Sequence, residues 1–104
     1  MTTHVFFLNK LRQDCDRDEY ERWLREVDYP TARSLSSIED YRVVRLEGML
    51  SESELPCDYV EIVEISDLDA YAKDIGDFPG RERFLEQLAS FVDDAIITHG
   101  TVIE

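Results

Sequence analysis

The stretch Tyr41–Ile65, YRVVRLEGMLSESELPCDYVEIVEI, decides the fold. Tyr41 to Leu46 alternates polar and apolar residues, and Asp58 to Ile65 does so again through Tyr59, Val60, Ile62, Val63 and Ile65. A period of two marks a strand. The segment GMLSESELPC between the two runs is too short for a crossover helix. The strands are therefore expected to pair antiparallel, as a hairpin with a long acidic loop.

Upstream, HVFFLNKL (His4–Leu11) places Val5, Phe7, Asn9 and Leu11 on one face and His4, Phe6, Leu8 and Lys10 on the other. Both faces are largely apolar, which predicts a central strand with helices on one side and a second copy of the chain on the other. Asp14 to Asp18 supplies acidic capping and first-turn residues, and Tyr20, Trp23, Leu24 and Val27 follow at helical spacing. Pro30 lacks an N–H, so a kink or break is expected at Asp28 and Tyr29, with Thr31 to Leu35 as a short turn. Downstream, Ser66-Asp67 opens a second helical segment whose Leu68, Tyr71, Ala72 and Ile75 share a face. Gly76 and Asp77 to Gly80 interrupt it, and the helix resumes through Phe84, Leu85, Leu88, Phe91 and Val92. Ala95 to Ile103 is the last strand. The order βαββαβ reads as a ferredoxin-like α+β sandwich, one domain over 1–104.

The 24 acidic and 11 basic residues give a net charge of −13, spread along the chain. Nucleic acid and anionic membranes, both bound through Lys and Arg, are poor partners for such a surface. Cys15 and Cys57 stand apart with no CxxC, which suits a reducing cytoplasm. The opening Met1-Thr2-Thr3-His4 lacks the basic start of a signal peptide, and no apolar run approaches a membrane span.

YERWLREVDYP (Tyr20–Pro30) and the downstream IEDYRV (Ile38–Val43) resemble the REDY-like family of HapK and PigK proteins encoded in prodigiosin gene clusters. The resemblance spans the chain and is strongest from Trp23 through Arg45. Ile38 stands where the family's namesake string has Arg, and Glu39-Asp40-Tyr41 is retained. The resemblance implies a dimeric α/β barrel and a part in making prodigiosin, a red tripyrrole built from a methoxy-bipyrrole carbaldehyde and a monopyrrole. It implies binding of a pyrrole-containing intermediate, more on the bipyrrole branch, and brings no established reaction. Superfamily relatives include cofactor-free monooxygenases, isomerases and haem-degrading enzymes, among which fold does not choose.

A pocket in this fold would lie between the helices and one sheet face, so polar groups on apolar strands are the candidates. Asn9 shares a face with Phe7 and Leu11; it orients a ligand or else ends a strand. Glu61 shares a face with Tyr59, Val63 and Ile65, so its carboxyl needs a partner or a raised pKa. A cross-strand ion pair with Arg42 or Arg45 is the plainer expectation. His99, on the last strand, is a candidate base, and a structural imidazole is about as expected. Trp23, Tyr29 and Tyr59 are candidate aromatic walls for a flat ligand, with core packing as the ordinary alternative. Neither histidine has a carboxylate at metal-ligand spacing, so no metal is expected. No cofactor is required by any motif. Two alternatives stand beside pyrrole binding: a cofactor-independent oxygenase or isomerase using His99 or Glu61, and a non-catalytic partner that docks a pathway enzyme through its acidic surface.

Overall fold

The computed structural model describes residues 2–104; Met1 lies outside the described residues. Strand β1 (Thr3–Leu11) leads to helix α1 (Arg17–Trp23), a π-helical segment (Leu24–Asp28) and α2 (Tyr29–Ser34). Strands β2 (Ile38–Arg45) and β3 (Tyr59–Ile65) follow, then α3 (Leu68–Gly76), α4 (Arg81–Phe91) and β4 (Val92–Thr101). The four strands form one sheet in the order β2-β3-β1-β4, every neighbouring pair antiparallel. This is the ferredoxin-like α+β fold, with β1 in the interior of the sheet as its two apolar faces require.

Local chemistry sets the helix starts. The Asp16 carboxylate accepts from Asp18 N at 2.9 Å, and Asp67 accepts from Ala70 N at 2.9 Å. Each satisfies an orphan N–H of a first turn, an effect of about 1 kcal/mol. Gly80 holds the start of α4 at φ 79°, a left-handed conformation that glycine adopts without a Cβ clash.

Pro30 does not break the first helix. The helix widens just before it into a π-helical turn, in which Tyr29 N donates to Leu24 O, five residues back, and Pro30 lies in the first turn of α2. Thr31 to Ser34 thus continue a helix where a separate turn was expected. The extra residue of a π turn also changes which side chains face inward.

The helices cover the odd-numbered face of the sheet. Val5, Tyr41, Val63 and Ile65 pack there with Ala32 and Tyr71, and Leu11 and Tyr59 pack with Tyr20, Trp23 and Leu24. The even-numbered face carries Phe6, Leu8, Val44, Val60, Ile62 and Ile96 in register across all four strands, with no helix over it. Val44 and Ile96 are 43% and 59% exposed. No helix among the described residues is long and apolar enough to cross a membrane.

Candidate functional site

Between helices and sheet lies a cavity of about 250 Å³. Its walls are largely apolar: Phe7 and Ile97 from the sheet, Ala32 from α2 and Leu35 just after it, Ile75 from α3, and Phe84, Leu85 and Leu88 from α4. Its polar groups converge on one side. Asn9, Asp28, Tyr41 and Glu61 all line it, brought together by β1, the π-helical segment, β2 and β3. Strand register makes this possible, since Phe7 and Val43 both oppose Glu61, with Asn9 and Tyr41 one pleat away on the same face.

All four side chains are buried, with Asn9, Tyr41, Asp28 and Glu61 only 2%, 5%, 6% and 9% exposed. Asn9 Nδ2 donates to Glu61 Oε2 at 2.5 Å, and Tyr41 Oη donates to Glu61 Oε1 at 2.6 Å. Tyr41 Oη is also hydrogen-bonded to Asp28 Oδ2. A phenol has one proton. It cannot donate to two carboxylates at once, so the second contact needs a proton supplied by a carboxyl. Glu61 already accepts from two donors and is the better place for negative charge; Asp28 has only Tyr41. The arrangement is a chain in which Asp28, as the acid, donates to Tyr41 Oη, and Tyr41 donates to a Glu61 carboxylate.

The electrostatics agree with that proton count. Burial, then the neighbouring Glu61, raise the Asp28 carboxyl to about 7, against the lowering effect of the Tyr41 hydrogen bond. Burial raises Glu61 as well, opposed by the hydrogen bonds from Tyr41 and Asn9. Tyr20, Tyr41 and Tyr71 are all pushed upward by burial and by the two carboxyls, so they stay protonated. No ion pair compensates: among the described residues the salt bridges of Arg12, Arg17, Arg42, Arg45 and His4 go to other acids, and none reaches Asp28 or Glu61. Arg81 lines the cavity but turns its Nε to Ile75 O at 2.9 Å.

Of the candidates named from sequence, the structure brings Asn9 and Glu61 into direct contact in the cavity. The expected ion pair of Glu61 is replaced by Asn9 and Tyr41, because Arg45 grips Glu21 at 2.7 Å and Arg42, opposite Ile62, points to the other face of the sheet. Trp23, Tyr29 and Tyr59 lie outside the cavity lining. Trp23 donates to Gln87 Oε1 at 2.8 Å and packs on Phe84 and Phe91. Tyr29 Oη accepts from Val43 N at 2.8 Å, and Tyr59 Oη donates to Glu21 Oε2 at 2.6 Å. His99 is on the cavity side of β4 but exposed, opposite Val5 and beyond the helix cover. Asp28 and Tyr41 were the members not singled out. Asp28 stands four residues beyond Leu24 and eight beyond Tyr20, an acid on the inward stripe, and that spacing was its signal. Among the described residues no group of three or more His, Cys, Asp or Glu side chains is placed to hold a metal ion.

A family profile for the REDY-like protein HapK matches residues 3–103. The chain belongs to the REDY-like HapK family. The crystal structure of HapK from Hahella chejuensis is similar at a TM-score of 0.79 and 21% identity, covering 97% of this chain and 92% of that one. A dimeric ferredoxin-like protein of unknown function from Thermobifida fusca aligns at TM-score 0.74 and 15% identity, over 98% and 92% of the two chains. A DABB family protein with a ferredoxin-like fold from Mesorhizobium loti aligns at 0.73 and 13%, over 99% and 98%. At these identities the structural likeness establishes the fold. No curated protein matches the chain.

The raised Asp28 carboxyl has a consequence for stability. Its proton is held more tightly in the folded chain than in the unfolded one, where the ordinary value is 3.8. The associated stability is fully present below that value and is lost as pH rises through about 7. Urea midpoints of the wild type should therefore fall between about pH 4 and about pH 7, and fall less steeply in Asp28→Asn. Equal slopes would contradict the assignment. Glu21, held down to about 2 mainly by its hydrogen bond from Arg45, acts below this window.

Proposed function

We propose that this protein serves prodigiosin-type pigment biosynthesis by binding a pyrrole-containing intermediate, on the bipyrrole branch, in the cavity between helices and sheet. The observation that carries this reading is the placement of a hydrogen-bonded carboxylate, Glu61, on the polar side of a cavity whose other walls are largely apolar. Pyrrole is a flat, apolar ring with one strong N–H donor. Glu61 accepts that donor through its free lone pairs, Asn9 holds the carboxylate in place, and Phe7, Phe84 and Leu88 sandwich the ring. A cavity of about 250 Å³ is at the small end for ligand sites and suits one or two five-membered rings. Membership in the HapK family supports a biosynthetic role.

Binding is tested by titrating the protein with 2,2′-bipyrrole and with 2,2′-bithiophene, which has the same shape but no N–H. Trp23 fluorescence reports occupancy because Trp23 packs against Phe84, a cavity wall, at 5.1 Å between ring centroids. Bipyrrole should bind at least about tenfold tighter, since bithiophene covers the remaining lone pairs of the Glu61 carboxylate without supplying an N–H to them. Glu61→Gln should narrow that gap. Equal affinities would remove Glu61 from the reading.

In the same reading a second copy covers the open, even-numbered face of the sheet. Phe6, Leu8, Val44, Val60, Ile62 and Ile96 form a continuous apolar patch there, and similar ferredoxin-like proteins are described as dimeric. Light scattering should report a dimer for the wild type and a monomer for Phe6→Glu. A monomeric wild type would contradict the dimer.

A further inference from the structure

We propose that the cavity is also a proton-transfer site: Asp28 acts as a general acid that protonates an electron-rich pyrrole ring at carbon, while the Glu61 carboxylate stabilises the resulting ring cation at its N–H. The proposal rests on pyrrole binding in the same cavity. It goes further by assigning an activity and a second reacting residue.

Three features of the geometry carry it. Two carboxyls line one small apolar cavity and are joined through a single hydroxyl, so the unit holds one proton more than two carboxylates would. The two carboxyls have different surroundings. Glu61 receives two hydrogen bonds, which favour its charged form, whereas Asp28 receives none from Asn9 and makes none through Oδ1 among the described residues. One acid and one base in unlike environments is the arrangement that divides proton donation from charge stabilisation. Finally, no lysine, arginine or histidine neutralises the pair, so a cation formed in the cavity finds uncompensated negative charge waiting.

The step balances without any co-reactant. The Asp28 O–H bond breaks and a C–H bond forms at a ring carbon beside the nitrogen, using a π electron pair of the ring. The ring becomes a cation whose N–H donates to Glu61. Tyr41, within hydrogen-bonding distance of both carboxyls, swings its proton toward the newly charged Asp28 and acts as a positioning residue. Loss of the other hydrogen from the same carbon returns a proton to Asp28 and restores the aromatic ring. Nothing is oxidised or reduced, and one ring hydrogen is exchanged with solvent.

The groups facing the acid are known from every element packed on it. They are Tyr20 of α1, Tyr41 of β2, Glu61 of β3, Tyr71 of α3 and Arg81 at the start of α4. Strands β1 and β4 contribute Phe7, Asn9, Val92, Ala95 and Ile97 to the lining, none of which titrates.

The test is deuterium exchange into 2,2′-bipyrrole in heavy water, read by mass and proton NMR, with Trp23 fluorescence in the same sample. Wild type should exchange ring carbons about 100-fold above buffer, the gain expected of a positioned acid. Asp28→Asn should keep saturable binding and lose about that factor, and Tyr41→Phe should lose part of it. The saturated wild-type rate should be level at acidic pH and fall above about pH 7, where Asp28 loses its proton. This profile needs no variant to fold. Saturable binding with exchange at the buffer rate would overturn the proposal and leave the binding reading standing. So would an Asp28→Asn protein exchanging at the wild-type rate, or a rate that tracks hydronium concentration across the whole range as buffer does. Absence of saturable binding would overturn the binding reading, and the proton-transfer proposal with it.

Discussion

A single phenol proton placed between two buried carboxyls is the constraint on which the interior depends. Tyr41 reaches both Asp28 and Glu61, and the three oxygens fit together only if one carboxyl stays protonated. Two sheet strands and one turn of helix must be in register for this to occur. A slip of one residue in β2 or β3 would turn Tyr41 or Glu61 to the open face. Burying two acids with no cation nearby is costly, and replacing such groups by well-packed apolar residues commonly stabilises a fold. Their presence in an apolar cavity is better explained by what they do there than by what they add to stability.

The surroundings divide the labour. One cluster, Tyr20, Trp23, Leu24 and Tyr59 with Phe91 behind it, is close-packed, and its polar tips are occupied by Gln87 and by Glu21; Tyr20 Oη alone has no partner. The cavity lies beside it, where α3 and α4 meet the sheet through Ile75, Phe84 and Leu88. Rigid aromatic packing on one side and an open, apolar space on the other hold Asn9, Tyr41 and Glu61 at the boundary. The π-helical segment carries the last member, Asp28, buried on the inward side two residues before Pro30.

Much of this was legible in the residues. The alternation in Tyr41–Ile65 and the doubly apolar His4–Leu11 lead directly to the hairpin and to an interior β1. The period of two also places Glu61 on the buried face with Tyr59 and Val63, and Asn9 with Phe7. What it does not give is which arginine has a better partner. Arg45 is drawn away by Glu21, far off in sequence on α1, and Glu61 is left to neutral donors. Asp28 lies on the helical stripe, but Pro30, whose usual effect is to end a helix, masks that signal; the π-helical segment keeps the chain helical there. His99 lies on the last strand, as its residues indicate, but its exposure there is a tertiary matter. Trp23, Tyr29 and Tyr59 are inward-facing, and packing in three dimensions directs them to their own hydrogen bonds instead of the cavity.

The proton between Asp28 and Tyr41 is the central claim, and infrared spectroscopy of the protein in heavy water measures it most directly. At about pH 6, below the point where the raised carboxyl titrates, the wild type should show the carbonyl stretch of a protonated carboxylic acid, and Asp28→Asn should lack it. No such band in the wild type, or one that persists unchanged in Asp28→Asn, would contradict the account.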